Sequence, residues 1–278
     1  MKRNLVSIII PTKNSSHQLP RCLYLIQRQN YHPIEIIIID SNSDDREKTA
    51  SLVKKYHGVF YTYAPKVKEG LFDATRKRNY AAKRAGGEYI YHFDTDMEIT
   101  PHVVREAVAL CKNGYDAIII PEDSFGEGIW ASAKNLERRF FWGDDTVESP
   151  RFFKKTAWNA VGGYDEEIAG GGDDRDIYHT LKEKGYKVTR TKNIILHNEG
   201  TLHLTYLMKK QFMYKREAIK FIRKRPLMSI ISYFPIRKSH ITKWGMFAAR
   251  PKDTLCLVIM KACESMAGLC GILYSLVK

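Results

Sequence analysis

"EYIYHFDTDM" (residues 88–97) is an apolar run that stops at two carboxylates one residue apart, Asp94 and Asp96. Its near-continuous apolar character suits a strand covered on both faces. The same pattern recurs on either side. "LVSIII" (5–10) is stopped by Pro11, "IEIIIID" (34–40) ends in Asp40, and "VFYTYA" (59–64) and "YDAIIIP" (115–121) read as further strands. Between them lie segments with helical spacing. Residues 16–29 follow Ser15 or Ser16 as N-cap, 45–58 close at Gly58, and 73–87 close at glycines. Residues 100–114 carry Thr100 as N-cap, Pro101 at the first helical position and Gly114 at the end. Strand and helix in alternation predict a doubly wound, mostly parallel α/β sheet. After residue 121 the order loosens. "GGYDEEIAGGGDDRD" (162–176) is turn-rich and acidic, 176–188 reads as a helix and a strand, and "NIILHNEG" (193–200) as a short strand with a polar end.

The chain has 278 residues, enough for one large domain with an appendage, and its 44% hydrophobic and 27% charged content is globular rather than disordered. The net charge of +14 is uneven: residues 206–278 hold 15 basic and three acidic side chains, a net of +12. A basic C-terminal region beside a near-neutral remainder points to an anionic partner, such as a membrane surface or nucleic acid. The five cysteines are odd in number and contain no Cys-x-x-Cys pair, so neither a disulfide framework nor a zinc site is expected. The apolar part of "MKRNLVSIIIPTKN" is too short for a signal segment and reads as a first strand.

In open α/β sheets, ligands bind beyond the carboxyl ends of the strands. Here those ends deliver Pro11, Thr12 and Lys13, then Asp40 to Ser43, then Asp94 and Asp96, then His197. Paired carboxylates suit a hard divalent cation that also takes water and phosphate oxygens. Alone, the Asp-x-Asp pair is equally a turn that caps the helix at 100–114.

Together these stretches resemble the family 2 glycosyltransferases of the GT-A, Rossmann-like fold. The resemblance is carried by "SIIIPTKN" (7–14), "IEIIIIDSNSDD" (34–45), "TRKRNYAAKRAGGEYIYHFDTDM" (75–97), "VGGYDEE" (161–167), "GGGDDRD" (170–176) and "ILHNEG" (195–200). It implies a catalytic domain over 1–205 and a metal-dependent hexosyl transfer from a nucleoside-diphosphate sugar, with UDP-sugars favoured. Pro11, Thr12, Asp40 and Ser43 would line the nucleotide, with Asp40 on the base. Arg78 and Asn79 would lie near the donor. Asp94 and Asp96 would form the metal and diphosphate motif, joined by His197, with Mn²⁺ or Mg²⁺ as cofactor. Asp174 would be the general base of an inverting reaction, and Asp173 an acceptor contact. Ser41 stands where many relatives have a second acidic residue, and Asp173-Asp174 where Glu-Asp is usual. The Gln-x-x-Arg-Trp motif of processive synthases is absent, which implies single-sugar addition. Each residue also has a plainer role open to it: a turn at Asp40, a solvated helix face at Arg76 and Arg78, a cap at Asp173, a strand-end histidine at His197.

Residues 206–278 read as a helical membrane-associating segment. "YLMKKQFMYKREAIKFIRKR" (206–225) interleaves eight basic residues with Leu207, Phe212, Ile219 and Phe221, the pattern of an interfacial amphipathic helix. "PLMSIISYFPI" (226–236) is apolar but too short to span. Residues 254–277 are long enough to span, yet contain Lys261 and Glu264, which favours a docking hairpin. Cys256, Cys263 and Cys270 share one helix face and read as packing residues. The expected partners are therefore a sugar-nucleotide donor, a glycan or lipid-linked acceptor and an anionic membrane at its cytoplasmic face, with no nucleic acid. A sugar-phosphate nucleotidyltransferase is the alternative enzyme, disfavoured by "PTKNSS" in place of a Gly-rich phosphate loop. A basic nucleic-acid-binding protein is the alternative non-enzyme. Residues 121–150 are not decoded; Trp130, Phe140, Phe141 and Trp142 fit either stacking on a ligand or ordinary packing.

Overall fold

The computed structural model describes residues 1–64, 73–168, 170, 172–233, 239 and 242–277. Residues 234–236 of the short apolar segment and residue 171 of the Gly-Gly-Gly turn lie outside them. The chain opens with β1 (Lys2–Thr12), α1 (Leu19–Gln27), β2 (Ile34–Asp40), α2 (Arg46–Lys55) and β3 (Val59–Thr62). Then come α3 (Ala74–Arg84), β4 (Gly87–His92), β5 (Met97–Ile99), α4 (Val103–Lys112) and β6 (Ala117–Ile119). The middle holds β7 (Glu122–Glu127), α5 (Ile129–Phe141), β8 (Pro150–Lys154), α6 (Lys155–Val161), α7 (Asp173–Glu183), β9 (Val188–Arg190) and β10 (Ile195–Thr201). Helices complete the described chain: α8 (Leu204–Glu217), α9 (Ile219–Lys224), α10 (Pro226–Tyr233), α11 (Trp244–Ala249) and α12 (Pro251–Val277).

Two compact units divide this chain. One comprises Met1–Pro121, Ser149–Glu166 and Ile177–Leu196; the other comprises Glu122–Glu148, Glu167–Asp176 and His197–Lys278. The boundary expected at residue 205 falls inside the second unit, which adds two inserted stretches to the C-terminal helices.

The first unit is built on a seven-stranded sheet of order β3-β2-β1-β4-β8-β6-β9. Neighbours run parallel except at β8, which is antiparallel to both β4 and β6. Alternation along β1 splits the apolar run between two cores. Ile8 and Ile10 pack with Leu19, Leu23 and Val104 on one face, and Ile9 packs with Ile37, Ala81 and Leu181 on the other. Strand order reverses at β1, and the register sets Thr12 of β1 against Asp40 of β2. This is the switch point at which a doubly wound sheet opens its ligand crevice.

Local punctuation differs from the sequence expectation at the starts of α1 and α4 and the end of α2: Gln18, not Ser15 or Ser16, holds the cap position of α1. Thr100 does not cap α4; His102 holds the cap position, and the Thr100 hydroxyl donates to the Ile194 carbonyl at 2.9 Å. The left-handed residue after α2 is His57, with φ 55°, not Gly58. Gly58 is needed for space instead, since a Cβ there would sit 3.0 Å from Val53 and 3.3 Å from the Ile36 carbonyl.

In the second unit, α12 packs against α8 and α5. Two glycines let α8 and α12 approach closely: a Cβ on Gly271 would lie 2.3 Å from the Phe212 carbonyl oxygen, and one on Gly268 3.0 Å from Lys215. Leu257 and Met260 join Ala133, Leu136 and Phe140 of α5 in the core. The apolar residues of 206–225 turn inward rather than outward. Leu207 is buried in the core it shares with Leu257 and Met260 of α12, the Phe212 ring packs on Tyr274, and Phe221 is buried against Gly172 and the Tyr233 ring. The aromatics of 121–150 are packing residues here. Phe140 stacks on Phe247, Trp142 donates its indole N–H to the Glu122 carbonyl, and Trp130 and Phe141 border the same core.

Candidate active site

The strand ends of the first unit assemble a polar pocket floor. The Asp40 side chain is buried, and its Oδ1 accepts from the Thr12 hydroxyl at 3.0 Å and the Ser43 hydroxyl at 2.5 Å. Ser43 in turn accepts from the backbone N–H of Asn14. The second carboxylate oxygen, Oδ2, is buried and has no hydrogen-bond partner; the Arg46 guanidinium stands 3.8 Å away. Buried polar atoms are normally satisfied, so this acceptor marks a place for an outside N–H donor. Pro11 lies beside it at the end of β1, paired in register with Ile39.

Lys77 is the cation under this floor, and sequence reading missed it. α3 buries Thr75, Lys77 and Asn79. The Lys77 ammonium donates to the Thr12 carbonyl at 2.9 Å and the Ser41 hydroxyl at 3.1 Å, and pairs with Asp73 at 3.0 Å. Its three donors are thus committed to the ends of β1 and β2 and the start of α3. Burial lowers its pKa, against the pull of Asp73 and Asp40. The Ser41 hydroxyl also donates to Asp73.

Arg78 and Asn79 have different roles. Arg78 donates to Asp94 Oδ1 at 2.5 Å, and Arg151, at the start of β8, donates to Oδ2 at 3.1 Å. Asp94 is therefore held between two guanidinium groups. Asn79 clamps the loop after α6: its amide donates to the Tyr164 carbonyl at 2.8 Å and Glu166 at 3.0 Å, and accepts from the Tyr164 N–H at 3.0 Å. Gly163 permits this approach, with φ 76° and no room for a Cβ beside the Asn79 oxygen. Beneath lies His92, fully buried among Phe153, Trp158 and Tyr164. Burial, then the nearby Arg78, hold His92 well below the ordinary histidine pKa, so it is neutral. Asp96 sits half-buried in the turn leaving β4.

Among the described residues, no three His, Cys, Asp or Glu side chains form a cation-holding group. Asp94 is turned to two arginines, and Asp96 is the second carboxylate of the Asp-x-Asp turn.

The second unit holds the remaining candidates. Asp173 and Asp174 lie in the first turn of α7, with Asp174 exposed and its Oδ1 accepting from the Arg175 N–H at 2.9 Å. The turn is pinned by its neighbours. Buried Asp176 pairs with Lys224 at 2.9 Å and Arg225 at 2.5 Å, and Gly172 lies so close to the Phe221 ring that a Cβ would come within 2.6 Å. Tyr233 stands near both acids; burial, with the charges of Asp174 and Asp173, pushes its pKa up to about 12.

His197 is on β10, where its Nδ1 lies 2.7 Å from Arg138 and 3.7 Å from Glu122. Arg138 also pairs with Glu199 at 2.9 Å and with Glu122. Burial alone would lower the Arg138 pKa, but Glu122 and Glu199 raise it. A guanidinium only donates, so Nδ1 is the acceptor of this pair. Arg138, Arg151 and Lys77 had no motif to announce them. The one available signal was a charged residue heading the apolar run "RFF" (151–153).

A doubly wound sheet with acidic strand ends at its switch point and an Asp-x-Asp turn defines the GT-A class of transferases. The chain belongs to glycosyl transferase family 2, whose description it matches over residues 7–223. It is 27% identical over 165 residues to poly(ribitol-phosphate) β-N-acetylglucosaminyltransferase TarP of Staphylococcus aureus, a match spanning 54% of this chain and 49% of TarP. Among solved structures, it superposes on the mannosyltransferase PcManGT of Pyrobaculum calidifontis in complex with GDP-Man and Mn²⁺, with TM-score 0.62, 17% identity, and coverage of 98% of this chain and 86% of that one. A Staphylococcus aureus TarS 1–349 structure in complex with UDP-GlcNAc gives TM-score 0.54 at 16% identity, covering 97% and 89%. The chain thus spans about half the length of TarP, and the two structures establish the shared fold.

Proposed function

We infer that this protein is an inverting glycosyltransferase that moves one sugar from a nucleoside-diphosphate sugar, UDP-linked by preference, to a hydroxyl of a cell-envelope or lipid-linked glycan at the cytoplasmic membrane face. The observation that carries this is the buried, unsatisfied Asp40 Oδ2 at the switch point, fixed by Thr12 and Ser43. An N–H on the edge of a nucleobase supplies the missing donor. The TarS complex with UDP-GlcNAc supports a uridine nucleotide, and the TarP name supports an envelope polymer as acceptor.

Asp174 takes the proton of the acceptor hydroxyl as that oxygen forms its bond to the anomeric carbon. The bond from that carbon to the diphosphate breaks, the diphosphate leaves with the electron pair, and the configuration inverts. General base assistance contributes about 10²- to 10⁴-fold. Asp96 would hold Mn²⁺ or Mg²⁺, which when bound neutralises charge on the leaving diphosphate. His197 contacts the metal or a diphosphate oxygen, and Asp173 contacts the acceptor. Lys77 and Asn79 keep the floor and the 163–166 loop in place.

Calorimetric titration of UDP, GDP and UDP-sugars with and without Mn²⁺ tests this. UDP is expected to bind with metal dependence that Asp96→Ala removes, and Asp40→Asn should weaken it at least tenfold. A folded protein that binds none of these nucleotides would refute the donor site.

A further inference from the structure

The C-terminal helix has two faces with opposite demands. Leu257, Met260, Glu264, Gly268 and Gly271 are buried against the rest of the second unit. On the opposite side, Leu255, Val258, Met266, Leu269, Leu273 and Leu276 are exposed, each by more than half. At 100° per residue these six fall on one stripe along the axis, about 30 Å long. From Ala262 to Val277 the only charged residue is Glu264, which is on the buried side. A stripe of this size exceeds what a soluble surface ordinarily leaves uncovered.

A second element of the same unit repeats the anomaly independently. α10 buries Ser229 and Ser232 and exposes Leu227, Ile230 and Ile231 at 70%, 64% and 47%. An eight-residue helix with serines inside and branched aliphatics outside is inverted relative to water. It fits an apolar medium on its outer side.

Length and composition would let α12 cross a bilayer. Its packing argues against that. Lys261 pairs with Glu137 of α5 at 2.7 Å and with Glu264 at 2.7 Å, and Lys134 bonds the same Glu137. A spanning helix would abandon these partners and the core contacts of Leu257 and Met260. It would also carry two charges into hydrocarbon, at about 3 kcal/mol each. The charge of the region selects the kind of surface. Exposed Arg223 precedes α10, exposed Lys252 opens α12, Lys209 is exposed on α8, and residues 206–278 sum to +12.

We propose that the outer faces of α12 and α10 form a monotopic docking surface for an anionic lipid bilayer, with α12 lying in the plane of the interface rather than crossing it. Aliphatic side chains enter the acyl boundary and the flanking cations meet the headgroups, the two components of interfacial binding. This sharpens the membrane placement above, and its chemistry is separate from that of the donor site.

Flotation of the full chain with phosphatidylcholine vesicles and with vesicles containing 30% phosphatidylglycerol (about 3:7 by mole with phosphatidylcholine) tests it. The protein is expected to float with the anionic vesicles, more weakly in high salt. Leu269→Glu/Leu273→Glu should lower partitioning at least tenfold while leaving the melting temperature and UDP titration unchanged. Single-cysteine labelling at Cys270 should be blocked by anionic vesicles. Three results would overturn the proposal: no flotation of wild type, undiminished flotation of the folded double variant, or a wild-type dimer that the same substitutions dissociate in the absence of vesicle binding. The last would assign the face to a second copy of the chain. UDP binding without flotation, or flotation without UDP binding, separates failure of this surface from failure of the donor site.

Discussion

At the scale of the residue, the candidate carboxylates differ in what surrounds them. Asp40 has one oxygen satisfied by hydroxyls and one left over; Asp94 has both turned to guanidinium groups; Asp174 is exposed. Under the proposed function the exposed Asp174 takes the proton of the arriving hydroxyl. Asp174→Asn is therefore expected to lower kcat by about 10²- to 10⁴-fold with UDP affinity unchanged, as read by radiolabelled sugar transfer and titration. Lys77 makes a complementary case. It is a buried cation whose partners are Thr12, Ser41 and Asp73, so Lys77→Met leaves an acid without its counter-charge. Breaking such a pair costs about 3 kcal/mol, read as a lower urea midpoint, and should weaken UDP binding as well. Adding Asp73→Asn should recover part of the stability, since the two positions share one interaction. The Asp-x-Asp pair was readable because it sits at a strand end, and the Arg-Asn dipeptide, in the middle of α3, was readable through the family resemblance alone. Lys77 was not, because nothing in "TRKRNYAA" separates the buried lysine from its two partly exposed arginine neighbours until Asp73 and the strand ends close over it.

At the scale of the element, the sheet was legible and its insertions were not. Runs such as "LVSIII" and "IEIIIID" bury both faces, and that demand is written in consecutive apolar residues. The short strands β5 and β7 and the helix α5 carry no such pattern. α5 is amphipathic toward α12, more than a hundred residues later, so its inner face holds Glu137, whose partner Lys261 is invisible locally. Burial alone would raise the Glu137 pKa, but Lys134 and Lys261 bring it below the ordinary carboxylate range. A gentler case joins α4 to the 192–193 turn. Glu106 accepts the backbone N–H of Lys192 at 2.7 Å and of Asn193 at 2.9 Å, plus the Asn193 amide at 2.7 Å. Partial burial pushes its pKa up, and these hydrogen bonds more than reverse that, so the folded value lies below 4.5. The unfolded state then takes up the proton first. Glu106 stabilises the fold fully above about pH 4.5, and that contribution is lost as pH falls through the folded value. Glu106→Gln should cost about 1 kcal/mol at pH 7, after screening at this half-exposed position, and progressively less below pH 4 in urea melts.

At the scale of the whole molecule, composition and charge set the outline. The five cysteines are free thiols in different surroundings. Cys22 and Cys111 are buried, and desolvation raises both thiols, Cys111 to about 12. Cys256 and Cys263 are partly covered, and Cys270 is exposed. Titration with a thiol reagent should find one fast-reacting cysteine in the native protein and five in urea; fast reaction of Cys22 or Cys111 would contradict the packing of α1 and α4. The sequence by itself determined the parallel core, the acidic strand ends and the basic, apolar C-terminal region. Each of these follows from local periodicity or a residue type at a strand end. Tertiary structure decided the rest: which carboxylate keeps a free oxygen, which arginines hold Asp94, where the compact units divide, and which face of α12 is left open. Those outcomes depend on partners far apart in the chain, such as Asp94 with Arg151 or Glu137 with Lys261, and no local pattern encodes a contact that only folding brings into range.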